Sequence, residues 1–189
     1  GTRMLDAAKY LVVETLKDGR KVTIRAIRPD DKDGLVKAFA ALEPQTIRLR
    51  FFYPKRSLTD DELRRLQRMD YQQRVGLAAT VQSGCEEVIV GFGEYVACDQ
   101  SAQIAFVVEE DWQGRGIASR LLQHLIGIAR ERGVVQFEAE VLKENGPMLA
   151  VFRHSGLTMT TRNGDDSVLV TLVLSTPPPS EPNSSIHTN

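Results

Sequence analysis

The stretch that most restricts this chain runs from Ala102 to Arg132. A strand-like segment, AQIAFVV (102–108), gives way within a few residues to a helical pattern over 115–132. There Ile117, Leu121, Leu125 and Ile128 recur three or four positions apart and form one apolar stripe, and Gly133 follows as a stop. A helix with one apolar face must bury that face against another element, and the alternation of strand and helix along the chain makes that element a sheet, so the chain is read as an α/β protein. Gly114 and Gly116 stand where the strand hands over to the helix. Two readings of the pair stay open. It either relieves strain in an ordinary strand–helix turn, or lets backbone approach an anion at a helix N-terminus, where N–H groups are unpaired and the dipole is positive.

The remaining segments complete the pattern. Lys21–Ile27 alternates polar and apolar residues as a strand does, and Pro29 with Asp30-Asp31 marks the start of a helix over 31–43 carrying Leu35, Phe39 and Leu42. Thr59-x-x-Glu62 is a capping box opening a second helix with Leu63, Leu66 and Met69 on one face. Strands follow at Arg74–Val81, Glu87–Ala97 and Ala102–Val108, the last two joined by CDQS (98–101) as a hairpin. After the 115–132 helix come a strand at Val134–Leu142, a helix at Pro147–His154, and a closing hairpin of Leu157–Thr161 with Val168–Leu174. The expected architecture is α/β (α+β): a mixed, mostly antiparallel sheet with helices on both faces. Residues 21–174 form the domain, 1–20 an N-terminal extension, and 175–189, with four prolines and few apolar residues, a disordered tail.

Composition narrows the partners. With 24 basic and 25 acidic residues the net charge is −1, so no bulk field draws the chain to nucleic acid or an anionic membrane. No apolar run approaches the ~20 residues that span a bilayer. The N-terminus lacks the pattern of a secretory signal, and Gly1-Thr2-Arg3 ahead of Met4 read as a cloning remnant; a cytoplasmic location is expected. Cys85 and Cys98 match no metal or redox spacing, and no metal site is expected.

Gln113-Gly114-Arg115-Gly116-Ile117-Ala118 resembles the Gln/Arg-x-x-Gly-x-Gly/Ala signature of the GNAT superfamily of acyl-CoA-dependent N-acyltransferases. The element order over 21–174 is similar to the GNAT fold. IRPDD (27–31), RLRFF (48–52), VLKEN (141–145) and the segment from Met148 to Leu157 resemble one branch more closely, the acetyltransferase domain of bacterial protein-lysine acetyltransferases. The resemblance implies acetyl-CoA as cosubstrate. Main-chain N–H groups of Gln113, Gly114, Arg115, Gly116, Ile117, Ala118 and Ser119 would grip its pyrophosphate, with Arg115 adding charge or lying solvated. Phe106, Val107 and Val108 would bond the pantetheine arm, and one N–H of that strand would hold the thioester oxygen. Asn145 would touch CoA or cap the next helix. Trp112, His124 and His154 are assigned to packing or exposed surface.

The acceptor side departs from the family pattern. An amine of pKa about 10.4 must shed a proton before attack, at a cost of roughly 4–5 kcal/mol at neutral pH. Many relatives place a glutamate early on the CoA-binding strand as base; the matching position here is Gln103, which cannot accept a proton. Where many relatives carry a tyrosine to protonate the thiolate, Phe152 stands. If the 98–101 turn pairs Cys98 with Ser101, then Val96 faces Gln103 and Glu94 lies diagonal to it, within reach of Gln103 through a water. Glu94 is thus the candidate replacement base, or else a surface glutamate; Glu109, Glu138 and Glu140 are less well placed. Three activities stay open: acetylation of a protein lysine, with an acyl-CoA synthetase or similar enzyme as acceptor; acetylation of a small amine in a pocket built by residues 44–58; and a catalytically weak acyl-CoA sensor.

Overall fold

A computed structural model describes residues 6–53, 55–67 and 69–175, so the proposed tail beyond Ser175 lies outside the described residues. Eight strands form one sheet in the order β1-β2-β3-β4-β5-β6-β8-β7. They are β1 (Leu11–Thr15), β2 (Lys21–Ala26), β3 (Arg74–Ser83), β4 (Glu86–Cys98), β5 (Ser101–Val108), β6 (Gln136–Leu142), β7 (Thr158–Asn163) and β8 (Ser167–Val173). Every neighbouring pair is antiparallel except β5 with β6. The helices are α1 (Lys32–Ala40), α2 (Pro44–Phe51), α3 (Asp60–Gln67), α4 (Ile117–Glu131) and α5 (Gly146–Arg153).

The apolar stripe of α4 does what its spacing predicts. Leu121, Leu125 and Ile128 are fully buried and Ile117 nearly so, each worth roughly 1.5–3 kcal/mol of transfer free energy. The helix lies on the sheet face that carries Gly91 and Gly93, whose positions face Ile117 and Leu121. α5 shares that face through Phe152, packed 6.1 Å from Phe106. Residues of alternate parity, Glu94 among them, point to the other face, where α1, α2 and α3 lie. The capping box of α3 forms in both directions, Thr59 N to Glu62 Oε1 at 3.0 Å and Glu62 N to Thr59 Oγ1 at 3.1 Å.

Three segments differ from expectation. The first helix stops at Ala40 rather than 43, and Asp31 is more than a helix start. Its carboxylate takes two hydrogen bonds from the buried Arg25 guanidinium, at 2.8 and 2.9 Å, and one from Arg28 N at 2.6 Å. Burial opposes its charge, yet these bonds hold the carboxyl below its ordinary pKa. Second, Pro44–Phe51 is a helix, with proline in its first turn where the missing N–H is not needed. Third, Leu11–Thr15, within the N-terminal extension, is a sheet strand. It is tied to α4 by Tyr10 Oη with His124 Nδ1, His124 Nε2 with Glu14 Oε1 at 3.0 Å, and Arg120 Nε with Glu14 Oε2 at 3.1 Å. His124 is a brace.

Candidate active site

Two strands that should run together come apart at the centre of the sheet. The parallel ladder of β5 with β6 holds only Ser101–Gln136, Ala102–Phe137 and Gln103–Glu138. Beyond Gln103, β5 keeps its β4 neighbour as far as Val108, but its other edge has no strand partner. Buried peptide groups do not stay unbonded without cost, so an open edge over Ile104–Val108 calls for a ligand's amides or for water. A cavity of about 250 Å³ fills the wedge, bordered by Ile104, Ala105, Phe106, Asn145, Met148 and Phe152.

The wedge leads to the start of α4. Gly116 is the N-cap of α4 with φ +88°, and no side chain caps the helix, so its first N–H groups are left for a ligand. Gly114 also has a positive φ, +75°. With no Cβ at either glycine, the loop leaves room for a second cavity, of about 340 Å³, bordered by residues 113, 114 and 116–119 together with Val107, Val108 and Asn145, whereas Arg115 does not border it. The loop is held by its own side chains. Gln113 Nε2 donates to Val108 O at 2.9 Å and to Thr46 Oγ1 at 3.2 Å, and Glu110 Oε1 accepts from Glu43 N at 2.7 Å, fastening the loop to α2. Arg115 donates to Asp18 Oδ2 at 2.5 Å and Asp111 O at 3.1 Å. Trp112 has Arg20 and Arg115 5.2 and 5.1 Å from the centre of its ring, and it also borders the second cavity. Asn145 caps α5, its Oδ1 accepting from Met148 N at 3.3 Å, and the residue also borders both cavities.

On the opposite side of α2 lies a third cavity, of about 330 Å³, between α1–α3 and the sheet. Phe39, Leu58, Leu66 and Phe92 give it apolar walls, and Arg50, Arg74, Glu94 and Glu109 are its polar groups near β4 and β5. The hairpin register is the expected one: Cys98 pairs with Ser101, Val96 with Gln103, and Glu94 with Ala105. Glu94 and Gln103 therefore share a face, but their side chains go to different partners. Glu94 Oε2 lies 3.5 Å from Arg74 Nη1 and Oε1 3.8 Å from Arg50 Nη2, whereas Gln103 Nε2 donates to Glu138 Oε2 at 3.1 Å. Glu94 is a cavity residue, only 14 % exposed, and not a surface glutamate. Glu109 borders the same cavity; burial, then the neighbouring charges of Asp111 and Glu110, push its carboxyl above the ordinary range.

Arg50, Arg74 and Glu109 escaped the sequence reading as a set. They come from α2, β3 and the end of β5, and no spacing in the chain signals that they share a cavity. Among the described residues no group of three or more His, Cys, Asp or Glu side chains is placed to hold a metal. No helix among them is long and apolar enough to cross a membrane.

A parallel pair that opens into a wedge beside a glycine-led, uncapped helix is the arrangement that the resemblance to the GNAT superfamily implies, and comparison agrees. The chain belongs to the acetyltransferase (GNAT) family, whose profile matches residues 43–157. It is 35 % identical over 126 residues to Acetyltransferase PA5475 of Pseudomonas aeruginosa, covering 66 % of this chain and 68 % of that protein. The GNAT domain of S. lividans PAT superposes with a TM-score of 0.79 at 32 % identity, over 86 % of this chain and 96 % of that one. The fold is also that of yncA from Salmonella typhimurium, solved with its cofactor acetyl-CoA, with a TM-score of 0.64 at 20 % identity over 83 % and 96 % of the two chains.

Proposed function

We propose that this protein transfers the acetyl group of acetyl-CoA to the side-chain amine of a lysine on a folded protein in the cytoplasm, an acyl-CoA synthetase or similar enzyme. The observation that carries acetyl transfer is the meeting of a wedge suited to CoA with a separate polar-and-apolar cavity at Val107 and Arg50. The resemblance of RLRFF (48–52) to protein-lysine acetyltransferases supports the acceptor class, as does the likeness to the GNAT domain of S. lividans PAT.

In this reading the main chain of 113–119 takes the pyrophosphate, Phe106, Val107 and Val108 take pantetheine, and Asn145 lines its path. The amine enters from the third cavity and attacks the thioester carbon. A C–N bond forms and the carbonyl oxygen becomes an oxyanion, held by a β5 main-chain N–H. Glu94 accepts the proton lost from nitrogen, with Gln103 further along the same face, and the C–S bond breaks to release CoA thiolate. Phe152 offers no proton, which the step tolerates because a thiol's pKa is only about 8.5. Glu109 is a second candidate base, favoured by its raised proton affinity, since a base works best with a pKa near the operating pH.

Thiol release assayed against a folded synthetase-type protein, its lysine peptides and a panel of small amines tests the proposal. The folded protein is expected to be the best substrate, because remote docking contacts contribute to the transition state. Efficient turnover of spermidine or a free amino acid, with none on protein, contradicts the acceptor assignment. Tight CoA binding without turnover on any acceptor points instead to a sensor.

A further inference from the structure

Among the described residues Arg50 is the one side chain that borders all three cavities: the pyrophosphate end, the wedge between β5 and β6, and the acceptor cavity. A thioester that enters by the first two must present its carbonyl where they meet the third. Arg50 is fixed at that junction by a rigid support. It is the next-to-last residue of α2, its guanidinium carbon lies 4.6 Å from the centre of the Phe51 ring, and Phe51 packs 5.9 Å from Phe39. Arg48, two residues earlier, turns away to pair with Glu144.

The guanidinium is held loosely: Glu94 is the carboxylate within ion-pair distance, and Glu62 adds a more distant charge. Glu94 is 3.8 Å away, too far for a hydrogen bond, and Glu94 is shared with Arg74. No described residue accepts a hydrogen bond from the Arg50 side chain, which is 24 % exposed and opens onto the cavities. Burial works against its charge. A sequestered cation with free donors costs stability unless a further anion arrives to meet it. Lysine and the small amines of the proposed reaction bring positive charge; the anion that forms at this junction is the oxyanion of the tetrahedral intermediate.

Resting on the acetyl-transfer reading, we infer that Arg50 is a catalytic residue whose guanidinium stabilises the negative charge on the acetyl oxygen as the C–N bond forms, beside a β5 main-chain N–H. Glu94 then has two duties, accepting the proton and keeping Arg50 aimed at the junction. A cation there also disfavours the ammonium form of the incoming amine, which helps a site whose Gln103 cannot serve as base.

The test compares two CoA thioethers that cannot react, S-carboxymethyl-CoA, with a carboxylate where the acetyl group sits, and the neutral S-(2-oxopropyl)-CoA. Calorimetry is run on the parent, Arg50→Gln and Arg50→Lys. The parent should favour the carboxylate by about tenfold or more, the worth of a charge-assisted hydrogen bond. Arg50→Gln should abolish that preference while binding the neutral analogue within a few-fold of the parent, and Arg50→Lys should keep part of it. Because each ratio is taken within one protein, partial unfolding of a variant cancels. With an acceptor, Arg50→Gln should lower kcat by roughly 10²–10³ and leave the KM for acetyl-CoA nearly unchanged. Equal affinity for the two analogues in the parent, or an unchanged preference in Arg50→Gln, overturns this role and leaves the acetyl-transfer reading standing. Failure of the parent to bind either analogue overturns both.

Discussion

The proposed donor and acceptor halves of the site touch at Val107 and Arg50 but are made of different materials. The donor half is backbone: an unpaired β5 edge, an uncapped α4 and two glycines with positive φ. Two side chains of its loop act as braces, Gln113 toward Thr46 and Arg115 toward Asp18. The acceptor half is side chain: Arg50, Arg74, Glu94 and Glu109, brought from four elements into one apolar-walled cavity. A backbone site binds whatever presents phosphates and amides, and tolerates change in its side chains. A side-chain site changes its chemistry with each substitution. The same sheet can therefore keep one donor while the acceptor end diverges.

Three substitutions sharpen this contrast. The largest effect is expected at Glu94. If it is the base, Glu94→Gln lowers kcat/KM by roughly 10²–10⁴. The pH–rate profile separates this from a change in shape: with the base removed, the variant's remaining rate should follow deprotonation of the amine itself. Retention of near-parental activity across pH 6–9, with Glu109→Gln instead abolishing it, would move the role to Glu109. Next comes Gly116→Asp, which adds a Cβ at φ +88° and a negative charge beside the expected phosphates. Close like charges at a partly exposed site are worth a few kcal/mol, so acetyl-CoA affinity should fall by about 10²–10³ in protein whose circular dichroism is unchanged. The smallest effect belongs to Arg115→Ala. Its guanidinium is already committed to Asp18 and Asp111, so affinity should drop no more than a few-fold, measured by the same titration. A hundredfold loss there would make the donor half a side-chain site after all.

What the chain revealed beforehand follows the same division. The strand–glycine–helix passage from Ala102 to Glu131, the Cys98–Ser101 hairpin and the register that sets Glu94 beside Ala105 rest on local periodicity and turn length, and local signals suffice for them. The α2 segment PQTIRLRF is only eight residues long, with two buried side chains, so no helical stripe announces it. β1 was hidden for the opposite reason: an edge strand leaves Leu11 and Val13 exposed, and its pattern lacks a buried face. Arg50 reads in sequence as one more surface cation of RLRFF, and only the packing of α2 over the wedge turns it inward.

The most direct test of a backbone-built donor half joined to a side-chain-built acceptor half is the acetyl-CoA affinity of Glu94→Gln, measured by calorimetry beside Gly116→Asp. Independence of the halves predicts that Glu94→Gln binds acetyl-CoA within about twofold of the parent despite its loss of turnover, while Gly116→Asp loses about 10² or more. A loss of acetyl-CoA affinity in Glu94→Gln as large as that in Gly116→Asp would contradict it.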